Sequence, residues 1–254
     1  VERTADEYAT ASGLFGTGLS DREIARRVGI SQSTISRWHR SNEPPLTVRR
    51  HERSSSWRIS NADRYCYLLG AYLGDGTLSH QEPNFWSLAI VNDRLYSDIS
   101  AEILRAMAVT FPGSTPRLWA SWRGKSDVLH IAHPAIRRAI PQHGAGRKHT
   151  RPIVLEEWQR RLTRAHPDAL IRGLIHSDGC RSINHVKTTL PRGRIAEYHY
   201  VRYFFTNHST DILEIFTEHC ELLGVRVTQS NPRNLSVSHR DSVAVLEEVV
   251  GPKS

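Results

Sequence analysis

Two segments of the chain are apolar almost all round: YLLGAYLGDGTLS, Tyr67 to Ser79, and LIRGLIHSDGCRS, Leu170 to Ser182. A helix of that character is buried. Each one nevertheless ends small residue–Asp–Gly, which places a carboxylate where the helix dipole is negative and an acid is disfavoured. One such ending could be chance; two predict a shared task for Asp75 and Asp178. The pattern after each motif also repeats. Period-two alternation predicts strands over SLAIVND, Ser87 to Asp93, and VRYFFTN, Val201 to Asn207, the first preceded by a short β-prone piece and the second by a longer loop. Amphipathic helices follow at Leu95 to Val109 and Asp211 to Leu223. Third strands are read at Arg117 to Trp122 and Val225 to Ser230, fourth strands ending at His133 and His239, and last helices at Ala135 to Ile140 and Ser242 to Val250.

The order is therefore α-β-β-α-β-β-α, twice, an α+β fold built as a pseudo-two-fold tandem repeat in which Asp75 and Asp178 are equivalent. Gly70 and Gly74 stand one turn apart before the first aspartate, Gly173 and Ser177 before the second. Small residues at that spacing let two helices pack with backbones close. Packed side by side, the helices bring both carboxylates to one end, among helix C-terminal carbonyls, a negative pocket suited to a hard divalent cation with oxygen ligands. Gly76 and Gly179 end the helices and let the following strands turn away.

LLGAYLGDG, Leu68 to Gly76, and IRGLIHSDG, Ile171 to Gly179, resemble the two motif copies of the LAGLIDADG homing endonucleases. The resemblance covers the chain from about Arg58 onward. It implies a DNA-binding saddle of two antiparallel sheets. It implies Mg²⁺ or another divalent cation held by Asp75 and Asp178 with the carbonyls of Gly74 and Ser177, and hydrolysis of one phosphodiester per strand to give a double-strand break. Double-stranded DNA is the implied partner, bound by a monomer on a partly palindromic site. Polar and basic groups around the metals are implied too. Lys148, in GAGRKHTR, and Lys253, in GPKS, follow the last helix of each repeat and are candidates for the phosphate side of catalysis. Asn92 and Asn207 end the second strands and either hold active-site water or cap the next helix. The chain departs from the family word two residues before each aspartate, where an acid is often found: Leu73 stands there in copy one and His176 in copy two.

The front of the chain reads differently. In GLSDREIARRVGISQSTISRWHR, Gly18 to Arg40, Ser20 and Glu23 make a capping box, Gly29 ends one helix, Ser31 caps the next, and Ile24, Ala25, Val28, Ile35 and Trp38 recur at helical spacing. A helix over Tyr8 to Phe15 precedes them. This resembles a bacterial helix-turn-helix, a small all-α domain whose second helix enters the major groove; Gln32, Ser33, Ser36 and Arg37 are then the base-edge candidates. The organisation expected is a helix-turn-helix domain over 1–41, a basic linker over 42–57, and half-domains over 58–150 and 151–254. Arg49 and Arg50 of the linker are candidates for phosphate contact.

Charge agrees with a polyanion partner. The chain carries +8 overall, and the segment from Arg117 to Arg164 alone has eleven Lys/Arg against Asp127, Glu156 and Glu157. Arg117, Arg123 and Arg147 are its DNA-contact candidates; codon bias from a GC-rich genome is the competing explanation for so much arginine. Cys66, Cys180 and Cys220 have no metal-ligand spacing and are read as free thiols. The fourteen histidines show no zinc-nuclease spacing either. With no apolar run of about 18 residues and polar, acidic first residues, the expectation is a cytoplasmic, nucleoid-associated protein with no membrane partner. Two functions stay open: a metal-dependent endonuclease, and a non-cleaving transcriptional regulator on the same scaffold.

Overall fold

The computed structural model describes residues 3–45, 48–49, 56–82, 85–121, 124–189 and 194–251. Arg50, Arg123 and Lys253 lie outside them. The chain forms two compact units, Val1–Trp57 and Arg58–Ser254.

The first unit includes the helices α1 (Ala5–Ser12), α2 (Asp21–Val28) and α3 (Gln32–Ser41). Ser20 and Glu23 close a reciprocal capping box at α2, and Gly29 ends that helix at φ 68°, the left-handed region where a side chain is strained. An equivalent box, Thr4 with Glu7, starts α1 earlier than the apolar pattern indicates. Ala11, Ile24, Ala25, Ile30, Ile35 and Trp38 form the core, with Tyr8 edge-on to Trp38. Ser31 occupies the N-cap position of α3 but bonds no backbone N–H there; its hydroxyl pairs with those of Thr34, at 2.8 Å, and Ser33, at 3.3 Å.

The second unit is α+β and runs α4 (Ala62–Asp75), β1 (Gly76–Glu82), β2 (Phe85–Asp93), α5 (Ser97–Thr110), β3 (Arg117–Ala120), β4 (Ser126–Ala132), α6 (Ile136–Ala139), then α7 (Glu157–Ala165), α8 (Pro167–Asp178), β5 (Gly179–Thr189), β6 (Ile195–Thr206), α9 (Thr210–Leu222), β7 (Thr228–Asn231), β8 (Asn234–Val237) and α10 (Arg240–Val250). Two antiparallel sheets result, β1-β2-β4-β3 and β5-β6-β8-β7, the same order in each repeat. Leu88, Ile90, Leu129 and Ile131 on one sheet, and Tyr203, Phe205, Leu235 and Val237 on the other, are buried. α7 packs on α4, α8 and α9.

One stretch departs from the pattern read in sequence. The loop expected after Gly179 is a ladder: β5 pairs with β6 from Gly179↔Phe205 to Thr189↔Ile195. β8 pairs only with Tyr203 to Thr206, so most of this ribbon runs beyond the third strand. Exposed residues such as Ile183 and Tyr198 give it no apolar–polar alternation.

α4 and α8 make the central contact of the unit. A Cβ at Gly70 would lie 2.4 Å from the Leu170 carbonyl oxygen, and one at Gly173 2.2 Å from that of Tyr67. The obstacles are backbone, so only glycine fits. Gly76 and Gly179 are extended, at φ −81° and −93°, rather than left-handed. They are required because a Cβ would meet Tyr72 Cα or Ile175 Cα at 2.6 Å as the chain leaves each helix.

Alanine improves helix propensity over glycine by about 1 kcal/mol, yet Gly173→Ala should destabilise the unit. Ordinary overpacking costs about 1–3 kcal/mol, and a backbone obstacle sets the expectation at the upper end or beyond. Thermal unfolding checks it: at about 2–4 °C per kcal/mol for a unit of this size, Tm should fall by roughly 6–12 °C. An unchanged or raised Tm would show that the helices do not touch as described.

Candidate nucleic-acid and metal site

The sequence puts Asp75 and Asp178 at the last position of α4 and α8, and the glycine contact aligns those ends. Gly74 lies against the second motif: a Cβ there would be 2.1 Å from Ser177 Oγ and 3.2 Å from Asp178 Cγ. Asp75 is exposed and Asp178 half-buried. Beside them opens a cavity of about 810 Å³ lined by residues that include Gly74, Asp178, Lys148, Asn207, Arg147 and Arg151.

Lys148 enters this cavity from the segment that joins the two halves. Its Nζ donates to the Tyr72 and Gly74 carbonyl oxygens, each at 2.5 Å, and lies 5.0 Å from the centre of the Tyr72 ring. Burial pushes the Lys148 pKa down to about 8, against the opposing pull of Asp178 and then Asp75; Arg151 adds a small further lowering. The ammonium is thus a cation already drawn to the carbonyl end of α4.

The strap is seated by buried amides. Gln142 donates to Gln159 Oε1, at 2.5 Å, and to the Val154 carbonyl, at 2.8 Å; Gln159 donates to Tyr65 Oη at 2.7 Å, and Tyr65 donates to the Ala139 carbonyl at 2.9 Å. Tyr72 Oη donates to the Gln142 carbonyl. Apolar periodicity carries no trace of this network, because its members are polar residues at buried positions.

The two strand-end asparagines differ. Asn207 donates to Asp178 Oδ2 at 2.6 Å and accepts from Ser209 N at 2.8 Å, so it holds the motif carboxylate and caps the turn into α9. Asn92 uses its amide hydrogens on the Tyr96 carbonyl and Ser100 Oγ, both at 2.9 Å. Ser177 Oγ donates back to the Gly173 and Leu174 carbonyls. His176 is buried, with Nδ1 3.0 Å from Tyr67 Oη and Nε2 3.2 Å from the Val250 carbonyl.

The oxygens beside this cavity, the Asp178 carboxylate and the Gly74 carbonyl, are hard donors, and the ammonium of Lys148 already sits on the Tyr72 and Gly74 carbonyls. The set fits Mg²⁺ or a similar divalent cation. Among the described residues no group of three or more His, Cys, Asp or Glu is placed to hold a metal ion. The cysteines are free thiols; burial raises the pKa of Cys66 to about 12, and Cys180 is exposed.

The other candidates are dispersed. Gln32, Ser33 and Arg37 are exposed on α3, and Ser33, Ser36, Arg37 and Arg40 share one shallow concavity. Arg49 is ion-paired to Glu43 at 2.7 Å. Arg117 is exposed on the edge strand β3, opposite His130, away from the cavity that Arg147 lines. No helix among the described residues is long and apolar enough to cross a membrane.

Residues 9–44 match the family model of the homeodomain-like domain. That is a similarity of the front unit alone. Among solved structures, the chain is similar to mesophilic variants of the homing endonuclease I-DmoI (17% identity, 75% of this chain and 92% of that one, TM-score 0.48). It is similar also to the homing endonuclease I-WcaI bound to its DNA recognition sequence (11%, 83% and 90%, 0.47). A third is the I-SmaMI LAGLIDADG homing endonuclease bound to cleaved DNA (9%, 73% and 82%, 0.45). Likenesses this distant assign no activity to the chain. No curated protein matches it significantly.

Gln159→Ala should loosen the strap, since it leaves buried partners on Gln142 and Tyr65 unsatisfied at a cost of about 1–3 kcal/mol. Limited trypsin digestion reads this directly: cleavage after Arg147 or Lys148 should accelerate relative to wild type. Equal rates would mean that the amide network does not hold the strap.

Proposed function

We propose that the chain is a site-specific DNA-binding protein of LAGLIDADG homing endonuclease type that hydrolyses DNA phosphodiesters with a divalent cation, giving a double-strand break. The observation that carries the reading is the convergence of Asp178, the Gly74 carbonyl and the buried Lys148 ammonium in one cavity at the ends of two helices in backbone contact. Asp75 and Asp178, with the carbonyls of Gly74 and Ser177, would hold the metal, Mg²⁺ by preference. A divalent cation bound there supplies Lewis acidity toward a phosphodiester oxygen. The protein's own groups do the rest. Lys148 places a positive charge where phosphate charge builds up, and Asn207 fixes the Asp178 carboxylate. In the reaction a water oxygen bonds to phosphorus, one ester P–O bond breaks, and the water proton ends on the departing oxygen. In this reading Lys253 has the corresponding role in the second repeat.

DNA recognition is divided between the units. In the front unit, proposed as residues 1–41 with a basic linker over 42–57, Gln32, Ser33, Ser36 and Arg37 face base edges. Arg49, Arg50, Arg117, Arg123 and Arg147 supply phosphate contacts over the half-domains 58–150 and 151–254. The chain acts as a monomer, because both motif copies lie in it, and works in the cytoplasm on the nucleoid. The homeodomain-like match of residues 9–44 favours a second reading, a non-cleaving transcriptional regulator on the same scaffold.

One selection separates the two: a randomised DNA library incubated with Mg²⁺ or with EDTA, sequencing both new ends and bound fragments. The endonuclease yields Mg²⁺-dependent ends at one motif. Asp75→Asn and Asp178→Asn keep binding and abolish those ends, since each removes a metal charge and preserves shape. Persistent cutting by both variants would refute the site, and bound fragments without ends would establish the regulator. Independently, Arg37→Ala should weaken affinity for the selected DNA by about 1–3 kcal/mol if it pairs guanine. Unchanged affinity at several salt concentrations would remove the front unit from recognition.

A further inference from the structure

Two histidines that lie far apart in the chain are brought together by the β5–β6 ladder. His185 stands directly opposite His199, on the stretch of ribbon that extends beyond β8. Their ring centres are 4.4 Å apart, with the rings at 83° to each other. Both residues are exposed, and among the described residues neither ring makes a hydrogen bond or an ion pair. Other histidines are committed: His39 to Asp21, His133 to the Ala135 N–H, His143 to Arg137 and His176 to Tyr67. The next register pair on the same face of the ribbon is Lys187 with Glu197, joined at 2.6 Å, so the charges beside the rings balance.

Directly opposite residues of an antiparallel pair hold their Cβ atoms about 4.5–5.5 Å apart. The ladder therefore fixes both backbones before any ligand arrives. An imidazole nitrogen binds an ion such as Zn²⁺ at roughly 2.0–2.1 Å, which puts two rings on one ion with their centres about 4.5–5 Å apart. At 4.4 Å the pair needs rotation of the rings, not movement of the strands. Imidazole suits copper, nickel and zinc, with affinity highest for Cu²⁺, whereas Mg²⁺ takes oxygen and water. The site is thus chemically separate from the carboxylates at the helix ends. We propose that His185 and His199 together chelate a late first-row divalent cation, Cu²⁺, Ni²⁺ or Zn²⁺, with water in the remaining positions, and that the ion braces the ribbon beyond β8. A two-stranded ribbon by itself is marginally stable in water, and an ion held by both strands limits their separation. The opposite face, where Asn184 donates to Tyr200 Oη at 3.2 Å, stays open. The proposal does not depend on the endonuclease reading.

Two measurements on the full-length protein test it. In Cu²⁺ titration followed by electron paramagnetic resonance, the first ion bound should show hyperfine structure from two imidazole nitrogens. His185→Thr and His199→Thr keep strand propensity. Each should weaken binding by at least tenfold, since even the partners of metal ligands are worth about 10–100-fold. The double variant should bind little worse than either, because one substitution already breaks the chelate. His149→Ala, which removes the other histidine pair, His149 with His208 at 5.3 Å, should leave the site intact, and excess Mg²⁺ should not displace the Cu²⁺. The brace is read by trypsin. Ni²⁺ should slow cleavage after Lys187 or Arg194 severalfold in the wild-type chain and leave the rate in His185→Thr unchanged at the same ion concentration.

A first Cu²⁺ site that is indifferent to both threonine variants, or lost in His149→Ala, places the ion elsewhere and overturns the proposal. Wild-type binding no tighter than that of the double variant does the same. A site that both variants remove, with cleavage after Lys187 and Arg194 unaffected by the ion, keeps the chelate and overturns the brace.

Discussion

The second unit depends on two helices whose backbones touch. Gly70 and Gly173 each face a backbone carbonyl of the other helix across a gap that no side chain could fill. That contact fixes both helices in register and brings their C-terminal ends level. Everything chemical follows from it: Gly74 lies against Ser177 and Asp178, and the Tyr72 and Gly74 carbonyls share the Lys148 ammonium. Negative charge gathered this way is unfavourable by itself. The dipoles oppose the carboxylates, and each carboxylate opposes the other. The arrangement needs a cation, and the protein supplies one in Lys148.

That lysine comes from the connection between the halves. Two copies of one supersecondary unit generate two equivalent helix ends, but a single chain must cross between them, and it crosses once. The connecting segment lies over the end of α4, anchored by Gln142, Gln159 and Tyr65, and places Lys148 on the carbonyls of Tyr72 and Gly74. The crossing also contains α7. Joining two halves covalently thus places a charge and a buried amide network beside the end of α4.

Much of this was legible in the residues, and the limits are physical. Apolar runs closed by Asp-Gly marked α4 and α8, and glycines one turn apart marked their contact, because close approach leaves a compositional trace. Strands with one buried face, such as β2 and β4, alternate and were readable. The β5–β6 ribbon was not, since residues on both its faces are exposed and no alternation is imposed. Gly76 and Gly179 were found as helix ends, and the structure adds the reason for glycine: crowding by Tyr72 and Ile175 as an extended chain leaves each helix. Asn92 and Asn207 looked alike in sequence, and only their bonding separates them. Hydrogen-bond partners distant along the chain, 29 residues apart for Asn207 and Asp178, leave no local pattern.

The departures from the family word show how packing and chemistry are separated within one helical turn. Successive residues of a helix point about 100° apart. Leu73 is fully buried while Gly74 and Asp75 are not, and His176 is buried while Ser177 and Asp178 are half-buried. Leu73 and His176 therefore belong to the core side of their helices. His176 meets its hydrogen-bonding needs there, on Tyr67 and the Val250 carbonyl, which removes the cost of burying an imidazole. A position that faces the core can exchange an acid for a leucine or a satisfied histidine without altering the charge at the helix ends. The residues one and two steps later cannot, because steric contact constrains Gly74 and the cation-binding role proposed for the site constrains Asp75 and Asp178.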